Sequence, residues 1–320
     1  MKVARPVLRG PRRSNALGLP DGVSHSVAAV FDDPNLISCA GLAPTVALAR
    51  RCGLGDLVAG KMTLKAAGGV NAALKVPALV AGMVAGADSI DDMDLLRHGV
   101  MGRVFTGIRA PSTLGTFLRT FTFGHVRVLD AVAADFLVNL IGAAPALRDA
   151  AVVTYLDIDD TVKATHGYTR QGAGYGYSGI KGLNALIATV STPISAPLIA
   201  ATRLRKGSAN SARGAARLIG DALATTKRCG ATGLVILRAD SAYYNHDVVA
   251  AAARGGAKVS ITARMNPAVV RVISTITDSA WTPIQYPNPL RRDSGHHRTP
   301  RAAPSFVTDW GSPYGTARRR

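Results

Sequence analysis

The chain has 320 residues, 48% hydrophobic and only 5% aromatic, with a formal charge of +18. That length can bury a sizeable core in one or two domains, and that charge favours a polyanionic partner, nucleic acid ahead of an anionic membrane. Cys39, Cys52 and Cys229 lack metal-ligand spacing and suggest no disulfide framework, so a stapled secreted scaffold is excluded and a reducing compartment is expected.

Residues 1–25 carry Lys2, Arg5, Arg9, Arg12 and Arg13 against Asp21, among several Pro and Gly, and read as a basic flexible arm. No apolar segment of the signal-peptide kind follows. The most apolar stretch, Val76 to Ala87, is bounded by Lys75 and Asp88, contains Pro77, and is too short to span a bilayer. A soluble cytoplasmic protein with no membrane partner is expected.

Residues 26–148 have helical character and are expected to form an all-α N-terminal domain that binds DNA. Pro44 to Val58 has near-helical apolar spacing with Gly60 as a stop, and Asn71 to Gly86 repeats the pattern. Ser89 reads as an N-cap, with Asp91, Asp92 and Asp94 as first-turn acids rather than metal ligands. Further helices are expected from Pro111 and over Val126 to Ile141.

From residue 149 the pattern changes to strands. Ala151 to Leu156 is an apolar run leading into Asp157-Ile158-Asp159-Asp160-Thr161, and Gly233 to Leu237 leads into Arg238-Ala239-Asp240-Ser241. Side chains alternate along a strand, so Asp157 and Asp159 share one face. Two neighbouring carboxylates repel unless a cation or proton lies between them, and Asp240 could complete a site for Mg²⁺, an ion that takes oxygen ligands. The alternative is a set of solvated aspartates at strand ends.

A Gly/Tyr-rich turn over Gly172 to Gly182 precedes alternating segments Leu183 to Val190 and Pro197 to Leu204. A helix from about Ala209 to Cys229 comes before the second acid-bearing strand. His246 to Arg254 (helix), Ala257 to Ala263 (strand) and Pro267 to Ile276 (helix) follow. Three strands followed by βα units imply a mixed α/β sheet, antiparallel and then parallel, over 149–287. Residues 288–320 show neither period and are expected to be an irregular basic tail, with translation in a shifted reading frame as the favoured origin.

Several motifs occur together in one order. They are Leu156-Asp157-Ile158-Asp159-Asp160-Thr161, Tyr175-Gly176-Tyr177 before Gly182, Leu204-Arg205-Lys206-Gly207-Ser208-Ala209-Asn210, and Leu237-Arg238-Ala239-Asp240-Ser241, with Pro111-Ser112-Thr113-Leu114 through Phe121 upstream. In these the chain resembles DDE-type insertion-sequence transposases over roughly residues 26–287. The resemblance implies an RNase H-like catalytic domain, DNA element ends as partner with a homo-oligomer as a further expectation, and nucleoid association through DNA. It implies Asp159 (by Asp-x-Thr) and Asp240 as catalytic carboxylates, with Asp157 as a neighbour sharing the metal. Mg²⁺ is the implied cofactor, with Mn²⁺ as substitute, in a two-metal phosphoryl transfer with ions ~3.5–4 Å apart.

The family's third carboxylate is a glutamate, whereas all 20 acidic residues here are aspartate. A C-terminally truncated, inactive enzyme is therefore expected. Lys163, Arg170, Lys181, Arg203, Arg205 and Lys206 are candidate phosphate contacts, each with ordinary surface charge as its alternative. Tyr175 and Tyr177 are expected to pack or shape a loop rather than stack on bases.

Two other readings stand beside this one. Asp157-Ile158-Asp159-Asp160-Thr161 also fits the nucleophile motif of haloacid-dehalogenase-like phosphatases, with Asp157 as nucleophile, Asp159 as acid/base, and Lys227 or Lys258 on phosphate. The order of elements after the motif and the high positive charge argue against it. The other is a DNA-binding protein without catalysis.

Overall fold

The computed structural model describes residues 37, 39–64, 69–166 and 170–280. The basic arm and the irregular tail lie outside the described residues. Contacts divide the chain into two compact units: residues up to Arg50 with Leu64–Thr120, and Arg51–Thr63 with the residues from Phe121 onward. The switch from helix to strand near residue 149 thus falls inside the second unit. Among the described residues no helix is long and apolar enough to cross a membrane.

The first unit is helical, with α1 (Leu42–Arg51), α3 (Ala72–Val84), a one-turn α4 (Met101–Val104) and α5 (Pro111–Arg119). The segment expected to run unbroken from Pro44 to Val58 breaks at Gly53, whose φ of +75° ends α1 and starts α2 (Leu54–Lys61) in the second unit. The acids after Ser89 form a 3₁₀ turn, Asp91–Leu96, rather than an α-helix. Asp92 caps it by accepting bonds from the Ser89 N–H and hydroxyl, 2.8 Å each. Asp91, Asp92 and Asp94 lie in its first turn as expected, Asp94 pairs with Arg97, and Ile90 rather than Ser89 holds the N-cap position. Met93, Leu96, Met101, Leu114 and Phe117 fill this unit's core.

The second unit holds α2, α6 (Phe123–Ala143), and the elements from β1 onward. In order these are β1 (Val153–Ala164), β2 (Gly174–Tyr175), β3 (Lys181–Ser191), β4 (Leu198–Lys206), α7 (Ala215–Arg228), β5 (Leu234–Ala239), α8 (His246–Arg254), β6 (Lys258–Ile261) and α9 (Pro267–Ser274). β3 pairs antiparallel with β1 on one side and with β2 and β4 on the other. β5 pairs parallel with β1, and β6 parallel with β5. An antiparallel meander feeding parallel βα units, with β1 central, is the RNase H-like mixed sheet.

Burial alternates strictly along the central strands. Leu156 and Ile158 of β1, Leu186, Ala188 and Val190 of β3, and Val235 and Leu237 of β5 are buried against Leu218, Ile219, Ala222 and Leu223 of α7 and Val248 and Ala252 of α8. The residues between them, including Tyr155, Asp157, Ala185, Ile187 and Ile236, are only half-buried. Among the described residues, helices close one face of the sheet and leave the other open.

Backbone contact is closest where β2, the start of β3 and the end of β4 meet. A Cβ added at Gly207 would lie 2.0 Å from the Gly182 carbonyl oxygen and 2.4 Å from that of Gly174. Gly207→Ala should therefore lower stability by about 1–3 kcal/mol or more. Gly220, on the exposed side of α7 with nothing within 4 Å of an added Cβ, is the control: Gly220→Ala should raise stability by about 0.4–1 kcal/mol. Urea denaturation midpoints of the two variants check both outcomes.

Candidate active site

The site is built on the strand β1 and on the register of its parallel neighbour. Alternation turns Leu156, Ile158 and Asp160 toward the helices and Tyr155, Asp157 and Asp159 toward the open face. Along β5, Asp157 stands opposite Arg238 and Ile158 opposite Ala239. Asp240 keeps an extended backbone, φ −78° and ψ −179°, so one further step sets it beside Asp159. Neighbours in register on parallel strands point the same way, so both carboxylates lie on the open face. β1 continues to Ala164 through its pairing with β3, so the acids sit mid-strand on β1, level with the end of β5.

Both aspartates are exposed. Asp159 accepts a 2.7 Å bond from the Asp160 N–H. Asp240 accepts a 2.9 Å bond from the Ala242 N–H, capping the turn Ser241–Tyr243. Among the described residues the second oxygen of each carries no hydrogen bond. Asp157 differs: both its oxygens accept from Arg238, Nε at 2.6 Å and Nη2 at 2.7 Å. The guanidinium also stacks on Tyr155, 4.2 Å from the ring centre. The Asp157 bond keeps Arg238 even more firmly protonated than usual. Both oxygens of Asp157 are thus engaged by an arginine, whereas Asp159 and Asp240 each bond through one oxygen to a backbone N–H.

Behind Asp159, on the closed face, lies a cluster that the sequence reading missed. The Asp160 side chain is 4% exposed and that of Arg205 6%, and they pair at 3.2 Å. Asp160 also accepts from the Asn184 amide, from the Tyr243 hydroxyl at 2.8 Å and from Ser211. Arg205 donates Nε to Asn184 Oδ1 at 2.9 Å and Nη1 to the carbonyls of Asn210, Ser211 and Arg213. Burial is the largest single influence on the Asp160 carboxyl and pushes it up. The bonds from Asn184, Ser211 and Tyr243, with the Arg205 charge, outweigh burial and hold it below the usual carboxylate range. Burial and the Asp160 bond push the Tyr243 phenol well above its ordinary value, so it stays a neutral donor. The sequence signal was available: Asp160 and Asn184 both fall at inward positions of otherwise apolar alternations.

The six basic candidates separate. Arg205 is internal, and Arg203, with a side chain 16% exposed, donates to Asp221 at 2.8 Å. Lys163, Arg170 and Lys206 are exposed and Lys181 half-buried, with Arg170 donating to the His166 carbonyl at 3.2 Å. Lys163 and Lys206 both stand opposite Leu183, one on each side of β3.

Removing one partner of a buried pair strands the other charge, so Arg205→Met should cost about 3–5 kcal/mol of stability. Asp160 adds a pH signature. A carboxyl held low in the folded state contributes stability above its unfolded pKa, about 3.9, and loses it as pH falls through the lower folded value. Thermal melts from about pH 7 down to about pH 2 should show a steeper acid loss in the native protein than in Asp160→Asn.

From residue 20 to residue 305 the chain matches the family described as Transposase DDE domain group 1, continuing past Pro287 where the sequence loses its period. No curated protein sequence matches. Among solved structures, similarity is found to the Mos1 strand transfer complex, with 10% identity, TM-score 0.21 and coverage of 63% of each chain. A pre-cleavage Mos1 transpososome is similar at 9% identity and TM-score 0.21, covering 63% of this chain and 64% of that one. The chain thus spans less than two thirds of either neighbour. With a family match that takes in most of its length, the protein belongs to the DDE-domain transposases of group 1.

Proposed function

We propose that the protein is the DNA transposase of an insertion sequence, binding the element's ends on the open sheet face and presenting Asp159 and Asp240 as two carboxylates of a metal-dependent strand-cleavage site. The observation that supports the reading is the β1–β5 register, which pairs Asp157 with Arg238 and Ile158 with Ala239 and would continue to Asp159 beside Asp240.

The two side chains suit one divalent cation. Mg²⁺ is commonly held by one or two carboxylates, with water and substrate phosphates filling the remaining positions. Asp159 and Asp240 each offer an oxygen with no protein partner among the described residues. When bound, the cation supplies charge neutralisation at the phosphoryl group and activation of the attacking oxygen. The protein's own part is positioning. The Asp160 cluster fixes the strand that carries Asp159, and Tyr243 ties the turn after Asp240 to that same cluster. Arg238 keeps Asp157 from adding a third negative charge beside them. Exposed Lys163 and Lys206 offer positive charge to the DNA backbone.

A second cation needs a further ligand. Among the described residues no group of three His, Cys, Asp or Glu could hold a metal, and the sequence has no glutamate. Asp247 and Asp278, the described acids after Asp240, lie exposed in first turns of separate short helices. On this reading these 320 residues bind DNA and one cation and do not cut by themselves.

The test joins binding to cleavage. DNA affinity should fall with added salt, at a slope of about −0.9 in log affinity per phosphate neutralised. Strand cleavage of DNA carrying the element's ends should be undetectable with Mg²⁺ or Mn²⁺, while Mn²⁺ binding in the same samples is weakened by Asp240→Asn. Salt-indifferent binding would contradict the DNA reading. Metal-dependent cleavage that Asp240→Asn abolishes would contradict the inactivity and show that a third ligand is supplied elsewhere.

A further inference from the structure

Tyr175 and Tyr177, expected to pack or to shape a loop, stand at the surface on β2 and the turn after it. They are 67% and 79% exposed, and among the described residues neither ring nor hydroxyl has a partner. Aromatic side chains carry a large apolar surface, so two left in water within three residues need a reason. They sit on the short β2 and the turn after it, a segment with unusual backbone support. Gly174 pairs with Gly182 and Tyr175 with Lys181. The Gly207 N–H donates to the Gly172 carbonyl at 3.0 Å. A Cβ on Gly176 would lie 2.6 Å from the Gly207 carbonyl oxygen, and one on Gly182 2.3 Å from that of Lys163. Glycines here let three backbone segments touch, and the result is a firm mount for two exposed rings.

The register says what lies around them. Residues directly opposite in an antiparallel pair share a face, so Lys163 and Lys206 flank Leu183 on the open side, and Lys181 and Tyr175 lie one step further along the same face. Asp159 is on that face too, four residues from Lys163 along β1 and so ~13 Å away at ~3.3 Å per residue. Lys163 and Lys206, two strand spacings apart, are separated by roughly 10 Å. Asp160, the one acid between Asp159 and Lys163, is turned inward. A track of positive charge thus leads from the carboxylates to the tyrosines.

We infer that Tyr175 and Tyr177 form a stacking site for unpaired nucleobases of the DNA strand whose phosphates lie along Lys163, Lys206 and Lys181. Every base has a flat π-face, but in a duplex that face is covered by its neighbours, so an exposed ring gains only from single-stranded or extruded nucleotides. Cations for the backbone beside rings for the bases are the two parts of a single-strand site, and phosphates alone would need no tyrosine. This rests on the reading of the chain as a DNA transposase and adds the form of DNA that it holds.

The experiment compares the full chain on two probes at one salt concentration: a blunt duplex, and the same duplex with a short single-stranded extension containing 2-aminopurine. Anisotropy measures affinity, and 2-aminopurine fluorescence reports stacking. The native protein should bind the extended probe about tenfold or more tighter than the blunt one and quench the fluorophore. Tyr175→Ala with Tyr177→Ala should abolish the preference and the quenching while leaving blunt-duplex affinity nearly unchanged. The double phenylalanine variant, which keeps the rings, should retain both. The inference is overturned if the native protein binds both probes equally, if the alanine variant loses both equally, or if the phenylalanine variant behaves as the alanine one. Absence of binding to either probe at low salt would instead remove the DNA reading itself.

Discussion

The arrangement of this unit depends on one buried ion pair. Asp160 and Arg205 are nearly inaccessible, and burying two charges is favourable only when their remaining hydrogen-bonding capacity is also met. Here it is met by three separate pieces of chain: Asn184 from β3, Ser211 and its neighbouring carbonyls from the loop before α7, and Tyr243 from the turn after β5. Each would leave a buried charge short of a partner if it moved. The cluster therefore fixes relative position more than it adds stability. Its consequence on the other side of the sheet is that Asp159 and Asp240, one and three residues from its members, are held in a common register.

The same alternation that builds the cluster divides the sheet's work. Inward positions close a core with α7 and α8. Outward positions are left to chemistry, and there the charges are sorted by strand level. Asp157 is neutralised by Arg238, Asp159 and Asp240 stand together, and lysines follow toward the end of β1. On the function proposed above, a cation between the two aspartates and a phosphate backbone over the lysines would complement this sequence of charges. The arginines that composition alone would assign to DNA, Arg203 and Arg205, are instead engaged by the protein's own acids, Arg203 with the half-exposed Asp221 and Arg205 inside with Asp160.

Much of this was legible from residue patterns. Two apolar runs ending in acids gave β1 and β5, and the order of elements gave the mixed sheet. The pattern placed α8 at His246 to Arg254, where the structure has it, and the structure adds Asn245 as its N-cap and Gly255 after its last turn. What was not legible needed long-range pairing. Thr161 to Ala164 is too polar to read as strand, yet β3 carries β1 through it. The role of Asp157 depends on which residue of β5 stands opposite, and no local pattern gives a parallel register. Gly53 and Gly214, with φ of +75° and +78°, set helix boundaries that periodicity alone ran through. The exposure of Tyr175 and Tyr177 was not legible either, because it depends on the meeting of glycine backbones from β2, β3 and β4.

The central claim is that β1–β5 register creates a two-aspartate cation site from which Asp157 is excluded. Anomalous scattering from crystals of the protein grown with Mn²⁺ and a short DNA duplex tests it directly. The account predicts one manganese peak bridging the carboxylates of Asp159 and Asp240, with Asp157 still paired to Arg238. A peak ligated by Asp157, or Asp159 and Asp240 on opposite faces of the sheet, would contradict it.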